Sequence, residues 1–250
     1  MVRQFRRAAA GPDADSLVLL DGEHLVREAL DAGLEITVVL SDGHQPELLD
    51  RAVAAGAAGH GCTRAVMAAA SPVRTPSGIC ALARWRPRAI DAVFAAGPAL
   101  VVGLVDVQDP GNVGSAIRSA DALGATGALT LGATADPRGW KVLRGAMGSA
   151  FRLPVGRGEL AAALTHARRA GIRVLAAVPA GGRPIDEADL AAPSLILVGR
   201  EGSGLPADVA AGADDAITIP MRPGIESLNV AVAAALVLDE ARRQRRGRRR

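Results

Sequence analysis

Five strongly apolar runs punctuate the second part of the chain: ALVVGLVD (99–106), GALTLG (127–132), IRVLAAVP (172–179), SLILVG (194–199) and AITIP (216–220). Runs with no polar alternation have no face to offer water, so the strands they form must be covered on both sides. The amphipathic stretches between them supply that cover, which predicts an α/β domain built on a mostly parallel sheet. A smaller α/β module precedes it. SLVLL (16–20) and ITVVL (36–40) flank the helix-period segment GEHLVREALDAG (22–33), and GICALAR (78–84) closes the module. WRPRAIDAVFAAGP (85–98) has two prolines, a charge cluster and no sustained period, as a short linker has. The expected organisation is a module over 1–88, a linker over 89–97, the α/β domain over 98–243 and a basic tail over 244–250. A chain of 250 residues, 49% hydrophobic, has the material for two such cores.

Composition removes several function classes. No apolar run approaches the roughly 20 residues of a membrane span, and the N-terminus lacks the apolar stretch of a secretory signal, so the expected location is the cytoplasm. Cys62 and Cys80 have no metal-ligand spacing and are too few for a disulfide framework. The four histidines are scattered, and no metal is expected. The net charge of +3 conceals an asymmetry: Arg3, Arg6, Arg7 and the seven arginines of RRQRRGRRR (242–250) hold 10 of 29 basic residues, leaving 19 basic against 26 acidic in between. Basic arms of this kind are commonly disordered and touch a polyanion such as nucleic acid. The other reading is a solubilising tail in a chain that uses 28 Arg and one Lys.

Three of the apolar runs end in polar, glycine-bearing loops. DPGNVGSAIR follows the first, REGSGLP the fourth, and MRPGIESLN the fifth, where it opens the long apolar helix VAVAAALVLDEAR. Ligands of open α/β sheets bind outside the carboxyl ends of the strands, so three such loops are able to build one pocket. Turns from strand to helix also want Gly, Asn and Pro for positive φ and for capping. Neither dinucleotide nor P-loop spacing is present. Asn112 is placed near a helix N-cap, and Gly114 and Arg118, four apart, share a face on which the small residue leaves room beside the guanidinium. Taken singly, Arg118 is a solvated helix charge, Glu201 a local partner of Arg200, and Ser227 a cap of the last helix with Asn229 in its first turn.

Taken in order, DPGNVGSAIRSADALGA (109–125), LILVGREGSGLP (195–206) and ITIPMRPGIESLNVAVAAALVLDEAR (217–242) resemble the three motifs of the SpoU, or TrmH-like, RNA ribose methyltransferases. The resemblance covers residues 99 to about 243, and its most specific part is IPM-x-x-G-x-x-SLNV-x-x-A. It implies a parallel sheet whose C-terminal part is threaded into a deep trefoil knot, against the general rule that chains do not knot. It also implies a homodimer and S-adenosylmethionine held by the knotted loops. Gly199, Ile219 and Leu228 would surround the adenosine, with Thr130, Gly132 and Met221 as further cofactor contacts. An apolar cleft with backbone donors suits an uncharged purine. The N-terminal module resembles the L30e-like RNA-binding domain often joined to this catalytic unit.

The implied reaction is attack of a ribose 2′-hydroxyl on a sulfonium methyl group, for which the protein must align the hydroxyl and help remove its proton. The resemblance assigns that task to Arg118. A guanidinium is a poor base, so its fork of donors is better suited to orienting the hydroxyl and the neighbouring phosphate. Asn112, Glu201, Ser227 and Asn229 would hold the arginine, the loops and the sugar. One segment departs from the family pattern: in RGAMGSAFRLPV, Ala146 and Ser149 stand where serine and alanine are expected. The expected partner is structured RNA, 23S ribosomal RNA ahead of transfer RNA. A non-catalytic RNA-binding or ribosome assembly factor is the alternative from another class, although 2% aromatic residues and no Tyr leave few platforms for stacking bases.

Overall fold

The computed structural model describes residues 1–11, 17–95 and 98–248. Ser16 of the first apolar run, residues 96–97 of the expected linker and 249–250 of the basic tail lie outside the described residues. The chain forms two compact units, Met1–Arg86 with Arg138–Arg152, and Pro87–Pro137 with Leu153–Arg250.

The first unit begins with α1 (Val2–Ala10), followed by β1 (Leu17–Asp21), α2 (Glu23–Asp31), β2 (Ile36–Ser41), α3 (Pro46–Ala54), β3 (Ala58–Gly61), α4 (Arg64–Ala70) and β4 (Ile79–Arg84). Its sheet has the order β1-β4-β2-β3, antiparallel except for the β2–β3 pair. Here the expectation of a disordered N-terminal arm fails. Phe5 and Ala8 recur on one face of α1 and bury against Leu19, Leu40, Met67 and Leu82, which makes Arg3, Arg6 and Arg7 the polar face of a packed helix. Arg6 Nε donates to the Ala69 carbonyl at 2.9 Å. Both cysteines are free, and burial, with Asp21 and Cys62 nearby, pushes the Cys80 thiol up to about 12, which leaves it an inert core group.

The second unit contains α5 (Ile90–Phe94), β5 (Leu100–Val105), α6 (Pro110–Ala122) and β6 (Gly127–Leu131). The chain then re-enters the first unit as α7 (Trp140–Ala146) and α8 (Ser149–Arg152). Met147 ends α7 with φ 49°, and Gly148 follows with φ 85°; a side chain at Gly148 would overlap Glu28. Glu28 pairs with Arg152, the His24 Nε2 atom lies 3.1 Å from the Met147 carbonyl oxygen, and Phe151 meets Trp85 edge to face at 6.1 Å. The second unit resumes with β7 (Val155–Gly158), α9 (Leu160–Arg169), β8 (Arg173–Ala177), β9 (Arg183–Pro184), β10 (Ser194–Val198), α10 (Ala207–Ala211), β11 (Asp215–Thr218) and α11 (Val230–Gly247).

All seven strands of this unit pair in parallel, in the order β7-β6-β5-β10-β8-β11-β9. The chain winds outward from β5 to β7, crosses to β8, and returns to insert β10 between β5 and β8. That insertion sets the carboxyl ends of β5 and β10 side by side. Residues of β5, β6 and β10 are buried throughout, as their unbroken apolar runs require. The segment read as a linker is partly structured: Val93 and Phe94 of α5 enter the core, and Phe94 stacks on His166 at 5.1 Å.

Arg242, Arg243, Arg245 and Arg246 of the C-terminal arginine run also belong to a helix, α11, rather than to a free arm. Arg242 pairs with Asp239, Arg243 with Glu240 and Arg248 with Asp189. Arg245 donates to the carbonyls of Pro98, Ala99 and Ala192 at 3.0, 2.7 and 2.8 Å, tying α11 to the chain segments that enter β5 and β10. No helix among the described residues is long and apolar enough to cross a membrane.

Candidate functional site

Each of the three polar loops is shaped by a different local requirement. After β5 the chain starts α6 with Asp109 as the cap: its carboxylate accepts the Asn112 amide at 2.8 Å, and Pro110 occupies the first turn, where no amide donor is needed. The cap expected from Asn112 is therefore Asp109. Asn112 is left free to reach outward, and its Nδ2 donates to Glu201 Oε1 at 2.8 Å.

After β10 the chain doubles back on itself. The Gly204 amide donates to the Arg200 carbonyl at 2.8 Å, and Gly202 and Gly204 adopt φ of 82° and 66°. This brings the returning backbone onto Gly199, where any Cβ would collide with Gly204 and Leu205. After β11 the loop over 219–229 ends in Asn229, whose Oδ1 caps α11 by accepting the Ala231 and Val232 amides at 3.0 and 3.3 Å. Ser227 does not cap α11; that role belongs to Asn229.

The loops meet at one carboxylate. Asn229 Nδ2 donates to Glu201 Oε1 at 2.5 Å and to Asn112 Oδ1 at 3.0 Å, so Asn112, Glu201 and Asn229 close a three-way junction between the ends of β5, β10 and β11. The two carboxamides give Glu201 donors without neutralising its charge.

Beside this junction lies an apolar cleft. Its walls include Gly199, Ile219, Met221 and Leu228 from the loops, Val198 at the end of β10, and Val230 and Val237 of α11, with Glu201 and Ser227 at polar positions. Of the residues expected to contact a cofactor, Thr130 and Gly132 are not among the lining of this cleft. Thr130 is buried in β6 with its hydroxyl donating to the Gly156 carbonyl at 3.2 Å, and Gly132 packs against Asp106. Arg118 also lies outside the lining. It is exposed on α6, one turn beyond buried Gly114, and no hydrogen bond or ion pair holds it among the described residues.

Sequence reasoning missed Val230 and Val237, whose apolar character reads only as helix core, and Ala177, Val178 and Pro179 at and just beyond the end of β8, which also border the cleft. Ala146 and Ser149 belong to the first unit, both buried, and the Ser149 hydroxyl is taken up locally by Arg152 at 3.3 Å. Among the described residues no group of three or more His, Cys, Asp or Glu side chains is arranged to hold a metal ion.

The profile of the SpoU rRNA Methylase family matches residues 99–239. The chain is 32% identical, over 98% of its length and 91% of the relative's, to an uncharacterized tRNA/rRNA methyltransferase of Synechocystis. It is 32% identical, over 88% of its length and 86% of the relative's, to the 23S rRNA (guanosine(2553)-2′-O)-methyltransferase RlmP of Bacillus subtilis. Among solved structures it is similar to the AdoMet-bound rRNA methyltransferase of Sinorhizobium meliloti, with a TM-score of 0.87 and 31% identity over 97% of this chain and 94% of that one.

Proposed function

Because the chain belongs to the SpoU rRNA Methylase family, we propose that it transfers a methyl group from S-adenosylmethionine to the 2′-hydroxyl of a ribose in 23S ribosomal RNA. The observation that carries this reading is the Asn112–Glu201–Asn229 junction at the rim of an apolar cleft, because it couples the three loops that the reaction needs in register.

The cleft fits the adenosine of that cofactor. Gly199 lets the returning loop backbone pack close against the end of β10, and Ile219, Met221 and Leu228 offer apolar surface to a purine. When bound, S-adenosylmethionine supplies a methyl group already activated by its sulfonium charge. The chain's own residues then have a positioning task. Ser227 and Asn229 hold the acceptor sugar, Glu201 fixes Asn112 and Asn229, and Arg118 orients the hydroxyl and the adjacent phosphate with its planar fork of donors. The exposed, unengaged guanidinium of Arg118 suits an anionic partner.

This reading extends to features the family implies: a trefoil knot through the loops after β10 and β11, a homodimer, and action in the cytoplasm. It takes the first unit, Met1–Arg86 with Arg138–Arg152, as an L30e-like RNA-binding module and the second unit as the methyltransferase domain, to whose core α5 of the linker segment contributes and whose last helix carries the basic residues up to Arg246. The test is to map 2′-O-methylation in ribosomal and transfer RNA from cells with and without the gene. Loss of one methylated ribose in 23S RNA is the expected result; an unchanged map overturns the assignment.

A further inference from the structure

The loop between β10 and α10 borders a second cavity. Its volume is about 370 Å³, within the range of small-molecule sites, and its walls include Asp106, Gln108, Ala133, Arg200 and Ser203. Arg200, Ser203 and Gly204 belong to the walls of both this cavity and the apolar cleft, so one loop separates the two. They differ in what each adds to those shared residues: the cleft adds the apolar side chains of Ile219, Met221 and Leu228, and the cavity adds the carboxylate of Asp106 and the carboxamide of Gln108.

These polar groups are not consumed by the fold. Asp106 Oδ1 accepts the Ala133 amide at 2.7 Å, but Oδ2 has no partner among the described residues. Gln108 and Arg200 are exposed and unpaired there, and Asp106 and Arg200 do not pair with each other. The backbone goes to unusual lengths to keep the carboxylate in place. Asp106 has φ 56°, a left-handed conformation costing about 1 kcal/mol or more for a residue with a side chain. Gly132 lies so close that a Cβ would overlap the carboxylate of Asp106.

We propose that this cavity seats the base of the acceptor nucleotide and selects guanine. The inference rests on the ribose methyltransferase reading above. A methyl donor in the apolar cleft needs its acceptor on the adjoining side of the shared loop, and an enzyme that modifies a nucleotide commonly takes the base out of its stack and reads its Watson–Crick edge. Guanine alone among the four bases presents two adjacent donors on that edge, N1–H and the N2 amino group, beside the O6 acceptor. A carboxylate accepts from the pair of donors, and the Arg200 guanidinium donates to O6. Adenine and cytosine set a ring-nitrogen acceptor beside their single amino group, and uracil offers one donor between two acceptors. Each would leave the Asp106 carboxylate against a lone pair, the arrangement by which polar sites reject wrong substrates.

The test uses the full chain, methyl-labelled S-adenosylmethionine and ribosomal RNA from cells lacking the gene, followed by digestion to nucleosides. Label in 2′-O-methylguanosine is the expected result. Label in the 2′-O-methyl derivative of adenosine, cytidine or uridine overturns this inference and leaves the transferase reading standing; no label in any ribose overturns the transferase reading itself. Asp106→Asn supplies the second arm, because asparagine accepts left-handed φ and keeps an acceptor for Ala133 while replacing the free carboxylate oxygen by a donor. Transfer should fall at least 100-fold while the Kd for S-adenosylmethionine stays within threefold. Wild-type transfer by this variant overturns the inference. Should Asp106→Asn lose cofactor binding through misfolding, exposed Arg200→Met decides: a loss of at least tenfold at saturating RNA supports the guanine pocket, and an unchanged rate sinks it.

Discussion

Asn229 is engaged at both ends of its carboxamide: Nδ2 donates to Glu201 at 2.5 Å while Oδ1 accepts the Ala231 amide at 3.0 Å. One side chain thus starts α11 and fixes the loop after β10. Asn229→Ala should cost about 1 kcal/mol of stability for the lost cap and should also loosen the apolar cleft beside it. Asn229→Asp keeps the cap but faces Glu201 with a second carboxylate. It should melt above the alanine variant in denaturation, yet bind S-adenosylmethionine poorly at neutral pH and recover as pH falls and one of the two carboxyls protonates. Equal cofactor affinity for wild type and both variants would remove Glu201 from the site.

Gly199→Ala probes the returning loop. The added methyl meets the backbone of Gly204 and Leu205, which have no side-chain freedom with which to give way. Calorimetry should show at least a 100-fold loss of S-adenosylmethionine affinity, with β10 intact by circular dichroism. Wild-type affinity would mean that the loop does not shape the cleft.

Arg118→Ala separates mechanism from fold. The side chain is exposed and unpartnered among the described residues, so stability should stay within about 0.5 kcal/mol of wild type. Single-turnover methyl transfer should nevertheless fall by roughly 10² or more with little change in cofactor affinity. Arg118→Lys should rescue only in part, because an ammonium does not reproduce a planar fork. A wild-type rate for the alanine variant would make Arg118 a surface charge.

Arg245 and Arg246 are neighbours with different tasks. Arg245→Ala removes one donor from each of the Pro98, Ala99 and Ala192 carbonyls, of which Ala99 and Ala192 still accept from Ser194, and should cost about 1 kcal/mol in chemical denaturation. Arg246, exposed and unpaired among the described residues, should be neutral to stability. If it contacts phosphate, Arg246→Ala should flatten the dependence of RNA affinity on log salt by something under one unit, and an identical slope would favour a solubilising role.

Glu240 links the same helix to pH. Hydrogen bonding to Arg243 holds its carboxyl below the ordinary value of 4.5, against desolvation and with help from Gln244. A carboxyl lowered in the folded state stabilises above its unfolded value, and that contribution is lost as pH falls through the lower folded value. Glu240→Gln should therefore flatten the acid limb of a stability–pH curve below about pH 5; an unaltered limb would mean that the pair carries no linkage.

What was legible in the sequence followed local rules. Apolar runs marked β5, β6, β8, β10 and β11, and the unbroken burial of β5, β6 and β10 is what such runs require of a strand covered on both faces. Glycine and asparagine marked the loops, and the three motifs named residues that do converge at Glu201. The errors lie where the decisive contact is distant. The three arginines of α1 hid a helix, since what holds it is Phe5 against strands later in the chain. β3, AGHG, carries no apolar signal and is held by pairing with β2. The caps fell to Asp109 and Asn229 rather than Asn112 and Ser227, a shift of a few residues that no propensity resolves.

The re-entry of Arg138–Arg152 into the first unit has a consequence for how the protein is made. When only residues 1–86 have left the ribosome, Glu28 lacks Arg152, Trp85 lacks Phe151, and the space in front of Gly148 is empty. The N-terminal unit is completed only after β6 has been translated, so the order of synthesis is not the order of assembly. A gene fusion that transplants residues 1–88 onto another protein would carry that bare flank with it, and a graft able to fold on its own must bring the later segment along.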